Sequence, residues 1–121
     1  MKQFYILLAE DNADLRGLFF FILQSEGYEV KAVNDGEAAL DALVKRKPDA
    51  VVTDINMPNM DGLELIEWIR AQEDMQGLPV IAMTAYGENT LLKAKKAGAN
   101  RVIAKPADNQ LCYELNSLLI A

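Results

Sequence analysis

The 121-residue chain contains no histidine and a single cysteine, Cys112. The first absence removes Ser-His-Asp and Cys-His catalysis, a zinc site of the usual kind, and any phosphohistidine on this chain. The second removes an internal disulfide and a cysteine-built metal centre. Long apolar runs are missing too, since none approaches the roughly 20 residues that a membrane span needs. Lys and Arg number 12 against 18 Asp and Glu. Apart from Lys93, Lys95 and Lys96 the cations are scattered, so direct nucleic-acid binding, which needs clustered Lys and Arg to neutralise phosphates, is not expected. No small-residue cleavage pattern follows Lys2; no signal peptide is expected, and the cytoplasm is the default location. The remaining chemistry must run on carboxylates, hydroxyls, amines and a hard cation.

What is present is a regular alternation of short apolar runs and helical patterns. Phe4–Ala9 is continuously apolar, as a strand buried on both faces should be. Leu15, Leu18, Phe19 and Ile22 repeat at helical spacing until Gly27. Tyr28–Val33 reads as a second strand, and Asn34 with Glu37 as a capping box for a helix to about Lys45. Ala50–Thr53 is a third strand ending at Asp54, and Asp61 with Glu64 opens a helix burying Leu65, Ile66 and Ile69. Val80–Thr84 is a fourth strand, a helix over about Glu88–Ala97 ends at Gly98, and Arg101–Ala104 is the fifth strand. Leu111, Leu115 and Leu118 line the last helix. Five βα units over residues 1–121 predict one domain, with a parallel sheet, right-handed crossovers and helices on both faces.

In open parallel sheets, functional groups gather beyond the carboxyl ends of the strands. Strand one ends at Glu10 and Asp11, strand three at Asp54, strand four at Thr84 and strand five at Lys105. Singly these have plain explanations: Glu10 and Asp11 as loop or cap residues, Asp54 as a turn aspartate, Thr84 and Lys105 as surface groups. Together, three carboxylates repel one another unless a positive group sits between them. Lys105 and a divalent cation are the candidates, and an all-oxygen site suits Mg²⁺ or Mn²⁺. A carboxylate can also be a nucleophile that carries a phosphoryl group, with the surrounding protein supplying alignment and charge neutralisation.

Four segments carry a family resemblance: Leu7-Leu8-Ala9-Glu10-Asp11-Asn12, the run Asp54 to Gly62, Met83-Thr84-Ala85, and Lys105-Pro106. In order and spacing they resemble the receiver domain of two-component response regulators, over essentially the whole chain. The resemblance implies a flavodoxin-like (βα)5 α/β fold with strand order 2-1-3-4-5. It implies that Asp54 accepts a phosphoryl group from a phosphohistidine on a sensor histidine kinase or histidine phosphotransfer protein. Asp11 and Asp54 would bind Mg²⁺ directly, with the backbone carbonyl of Asn56 as a further ligand and Glu10 assisting through water. Thr84 would hydrogen-bond a phosphoryl oxygen and Lys105 would pair with its charge, across a cis Lys105–Pro106 bond. Asn56 and Tyr86 stand where the family tunes acyl-phosphate hydrolysis. The readout would be a downstream effector protein or domain, or self-association, without membrane contact.

One departure lies at Val102. The family commonly has an aromatic residue there, three positions before the lysine, whose ring turns inward with the Thr84 position on phosphorylation. The run Phe19-Phe20-Phe21 adds a second point: Phe19 falls on the apolar stripe of the first helix, Phe20 lies far off it and Phe21 at its edge. Receivers dock their phosphodonor on this helix, which makes Leu15, Phe20 and Phe21 candidate docking residues. Tyr113 and Ile120 lie off the stripe of the last helix. Two alternatives are a relay receiver from a hybrid kinase, and a haloacid-dehalogenase-like phosphatase. The latter wants a second Asp where Asn56 stands. A phosphorylation-independent interaction domain is a third alternative, and a flavin-binding protein lacks the phosphate loop after its first strand.

Overall fold

A computed structural model of the chain describes residues 3–85, 87–105 and 108–120. The elements in chain order are β1 (Tyr5–Ala9), α1 (Ala13–Ser25), β2 (Glu29–Val33), α2 (Gly36–Lys45), β3 (Ala50–Asp54), α3 (Gly62–Ala71), a 3₁₀ turn (Glu73–Met75), β4 (Val80–Thr84), α4 (Glu88–Ala97), β5 (Arg101–Ala104) and α5 (Asp108–Ile120). The strands form one parallel sheet ordered β2-β1-β3-β4-β5. The βα alternation predicts such a parallel, doubly wound sheet, and the flavodoxin-like strand order is the one that the receiver resemblance implies.

The continuous apolar runs follow from burial on both faces, because successive strand side chains point to opposite sides. Leu7, Ala9, Val51, Val80 and Ala82 face one layer, where Ala39 and Leu43 of α2, Leu65, Ile66 and Ile69 of α3, and Ala94 of α4 close over them. Ile6, Leu8, Val52, Ile81, Met83 and Ile103 face the other, against Phe19 and Leu23 of α1 and Leu111 and Leu115 of α5. β2 is an edge strand and is only partly buried, with Lys31 exposed. Among the described residues, no helix is long and apolar enough to cross a membrane.

Two local expectations are corrected. The cap of α2 is Asp35, not Asn34: the Asp35 carboxylate accepts from the Ala38 amide at 2.7 Å, and no Asn34–Glu37 box forms. The buried stripe of α1 is centred nearer Leu23 than the spacing of Leu15, Leu18, Phe19 and Ile22 suggests. At about 100° per residue, including Leu23 turns the stripe towards Phe20 and away from Leu18 and Phe21. Phe20 accordingly packs against the core, whereas Leu18 is 47% and Phe21 69% exposed. The capping box of Asp61 and Glu64 forms as expected, and Tyr113 and Ile120 lie exposed on α5.

Candidate functional site

The sheet delivers its polar strand ends to one place by extending its ladder past the strands. The Glu10 amide donates to the Val33 carbonyl at 3.1 Å, the Ile55 amide to Met83 at 3.0 Å, and the Lys105 amide to Thr84 at 2.8 Å. Asp54 is the last residue of β3 and is buried, as are Glu10 and Thr84. The β1–α1 loop is tied down by Asn12, whose amide donates to Glu10 Oε2 at 3.1 Å and whose side chain caps α1 by accepting from Leu15. Arg16 reaches back from α1 and donates to the carbonyls of Glu10 at 2.9 Å and Asp11 at 3.4 Å. Its chain position, one turn into the helix that leaves the acidic pair, was the only signal for this role.

Carboxylate oxygens of Glu10, Asp11 and Asp54 lie within 4.8 Å of one another, with Asp11 exposed at the mouth. Lys105 Nζ sits between the two buried acids, 2.6 Å from Glu10 Oε1 and 3.2 Å from Asp54 Oδ2. The lysine is thus engaged more closely by Glu10 than by Asp54, a pairing across 95 residues that spacing cannot reveal. The Asn56 amide donates to Asp54 Oδ1 at 3.4 Å, and Asn56 itself is exposed at the rim.

Burial raises the pKa of both Glu10 and Asp54, because desolvation disfavours their anions more than the Lys105 contacts favour them. For Lys105 burial acts downwards, but the hydrogen bond it donates to Glu10 and the charge of Asp54 outweigh it and the pKa is raised. One ammonium faces three carboxylates. Two like unit charges about 5 Å apart repel by roughly 3 kcal/mol at an effective dielectric near 20, so the cluster holds an excess of negative charge that a small divalent cation would neutralise. The donors are all oxygen, with neither imidazole nor thiolate among them. Such a set fits Mg²⁺ or Mn²⁺ and not zinc.

The loop from Ile55 to Asp61 forms the third wall. Gly62 is required at its end: a Cβ there would stand 2.2 Å from the Asp54 carbonyl oxygen. The Gly62 amide also donates to Ile55 at 2.8 Å, closing the loop against β3. Met57 is buried and Met60 partly so, packed on the core under this loop.

Other sequence-based candidates fall away from this cluster. Val102 of β5 is half-buried and lines a cleft of about 290 Å³ with Leu91, Leu92 and Lys95, on the α4–β5 face. Leu15 is half-buried against the core. Tyr86 and the Lys105–Pro106 bond, for which a hydrolysis-tuning role and a cis geometry are expected, lie outside the described residues.

Comparison with known proteins agrees with this geometry. The family model described as "Response regulator receiver domain" matches residues 6–116. Chemotaxis protein CheY-3 of Vibrio cholerae is 37% identical over 107 residues, covering 87% of this chain and 82% of CheY-3. The CAI-1 autoinducer sensor kinase/phosphatase CqsS of the same species is 37% identical over 110 residues, 88% of this chain but 16% of CqsS. Among solved structures, the receiver domain of a sensor histidine kinase from Pseudomonas aeruginosa, determined with a magnesium ion coordinated in its active-site cleft, superposes with a TM-score of 0.89. It is 32% identical and covers 99% of this chain and 100% of its own.

Proposed function

The chain belongs to the response regulator receiver domain family, a signalling domain of two-component systems, and from that premise we propose that Asp54 is its phosphoacceptor. The observation that carries the proposal is the setting of the Asp54 carboxylate. It is buried at the end of β3, with Glu10 and Asp11 oxygens within 4.8 Å and the Lys105 ammonium at 3.2 Å.

In the proposed reaction an Asp54 carboxylate oxygen attacks phosphorus of a phosphohistidine on a sensor histidine kinase or histidine phosphotransfer protein. The P–O bond to Asp54 forms as the P–N bond breaks, and the imidazole leaves with the electron pair. Asp11, Asp54 and the Asn56 carbonyl would hold Mg²⁺ or Mn²⁺, with Glu10 behind them. When bound, the cation would neutralise charge on the phosphoryl oxygens. Lys105, already aimed at Asp54, would shift its pairing from the carboxylate to the phosphoryl group. The Thr84 hydroxyl would donate to a phosphoryl oxygen. Water attack on the acyl phosphate at the same site would return the domain to its starting state.

The phosphorylated state would be read by an effector protein or domain, or by a second copy of the chain, through a shift between two conformations. Docking of the donor on α1 would use its exposed Phe21, with Leu15 and Phe20 beneath as support. The likeness to the CqsS kinase supports a second reading, a relay step in which Asp54 passes its phosphoryl group to another histidine. Residues 1–121 would act in either case as one receiver unit.

Incubation with acetyl phosphate and Mg²⁺, followed by intact-protein mass measurement, tests the acceptor. The wild type is expected to gain one phosphoryl group, chelation of the metal to prevent it, and Asp54→Asn to abolish it. Undiminished labelling of Asp54→Asn would sink the assignment.

A further inference from the structure

The loop that carries Asn56 has little holding it from within. At its two ends the loop is closed by the Asn56 amide on Asp54 Oδ1 at 3.4 Å, Met60 on Pro58 at 2.8 Å and Gly62 on Ile55 at 2.8 Å. Its middle is instead fastened from outside, by the start of α2. The Asp35 carboxylate is shared: Oδ1 accepts from the Ala38 amide at 2.7 Å as the helix cap, and Oδ2 accepts from Asn59 Nδ2 at 2.7 Å. Those two bonds, the helix amide first and the Asn59 amide second, hold the Asp35 pKa below the usual carboxylate range.

Asn59 is held at φ 70°, the one positive-φ non-glycine among the described residues. Asn tolerates that region better than other side chains do, yet still at a cost compared with Gly. Next to this bond, Gly36 lets the helix start lie directly on the loop backbone: a Cβ there would stand 2.1 Å from the Met60 carbonyl oxygen. The same segment meets the other wall of the acidic cluster, because the carbonyl of Val33 accepts from the Glu10 amide. Residues 33–36 therefore touch both the strand-one acids and the loop that follows Asp54.

We propose that Asp35 and Asn59, with Gly36 beneath them, form a clasp that positions the Ile55–Asp61 loop and with it the Asn56 carbonyl for divalent-cation binding. Asp35 and Asn59 are positioning residues and do not touch the ion. The clasp rests on the reading of Glu10, Asp11, Asp54 and Asn56 as the cation site. A shared cap carboxylate explains why an unfavourable φ is retained at Asn59. Glycine at that position would satisfy the backbone but would leave Asp35 without its second donor.

Mn²⁺ titration followed by electron paramagnetic resonance, with thermal melts in chelator as the stability control, separates positioning from folding. Asn59→Gly relieves the backbone and deletes the clasp. It is expected to keep or raise the metal-free melting temperature while weakening Mn²⁺ binding about fivefold. Asn59→Asp, which places two carboxylates face to face, is expected to weaken binding at least as much. The exchanged pair Asp35→Asn with Asn59→Asp keeps a capping oxygen and restores a donor–acceptor bond in the opposite sense, and is expected to bind within about twofold of wild type. Wild-type affinity in Asn59→Gly, or an exchanged pair no better than Asn59→Asp alone, would overturn the clasp while leaving the site reading intact. Wild-type protein that fails to bind Mn²⁺, or an Asp54→Asn variant that binds it unchanged, would overturn the site reading and the clasp with it.

Discussion

The acidic end of the sheet and the α4–β5 face are built in opposite ways. At the acidic end, Glu10, Asp54 and Thr84 are buried, each next to a backbone group held by a neighbouring strand, and the Ile55–Asp61 loop fits so closely that Gly62 has no room for a methyl group. On the α4–β5 face, Leu92 is 57% exposed and Val102 lines an open cleft with Leu91 and Lys95. Reacting groups need fixed geometry, and close packing provides it. The α4–β5 face carries none of the acidic cluster and is left partly open. The missing ring at Val102 leaves space on the loose side and takes nothing from the tight one.

The contrast predicts unequal tolerance to change. Gly62→Ala is the severest test at the acidic end, since the added methyl must displace the Asp54 carbonyl. Overpacking of this kind costs typically 1–3 kcal/mol, and urea unfolding should place this variant near the top of that range, with phosphorylation by acetyl phosphate lost in proportion. A Gly62→Ala protein of wild-type stability would remove the distinction between the regions.

A smaller effect is expected from Asp54→Asn in metal-free buffer. The folded pKa of Asp54 lies above its ordinary value of 3.8. A raised carboxyl pKa means the folded state holds its proton longer than the unfolded chain does. Stability from this group is therefore complete below the unfolded pKa and is lost as pH rises through the folded one. Asp54→Asn should melt higher than wild type at neutral pH, and the gap should close towards pH 4. A gap that widened on acidification would contradict the assigned direction.

The least effect is expected on the loose side. Val102→Tyr fills a half-open cleft and should change stability by no more than about 0.5 kcal/mol, with acetyl-phosphate labelling unchanged. A loss of labelling would show that the α4–β5 face is coupled to the acceptor more tightly than its packing implies.

Much of the site was legible before any coordinates because apolar runs end abruptly in Glu10, Asp54, Thr84 and Lys105, and a parallel sheet must bring such ends together. The two layers were legible for the same reason: Leu7 and Ile6 can only alternate between faces. What was not legible depended on distance or on small rotations. The Lys105–Glu10 pairing joins residues whose separation in the chain gives no hint of contact, and the Arg16 bonds to the acidic loop were signalled only by its place one turn into α1. The buried face of α1 centres on Phe19 and Leu23 rather than on the wider set that begins with Leu15, and that rotation exchanges the expected environments of Phe20 and Phe21. Asn34 and Asp35 are both good capping residues, and the second takes the cap, its carboxylate accepting from both Ala38 and Asn59. The role of Asn59 followed from a backbone dihedral that its side chain permits but does not announce.

The ladder bonds beyond the strand ends have a kinetic consequence. Because the amides of Glu10, Ile55 and Lys105 donate to carbonyls of adjoining strands, the strand-borne half of the pocket cannot loosen unless the sheet itself frays. Fluctuations that would expose Asp54 are then as infrequent as openings of the central strands, whereas the exposed Asp11 side chain at the rim can rearrange far more often. The same pocket would run on two clocks: a slow one that preserves the acceptor between signals and a fast one at the entrance where ions and phosphodonors come and go.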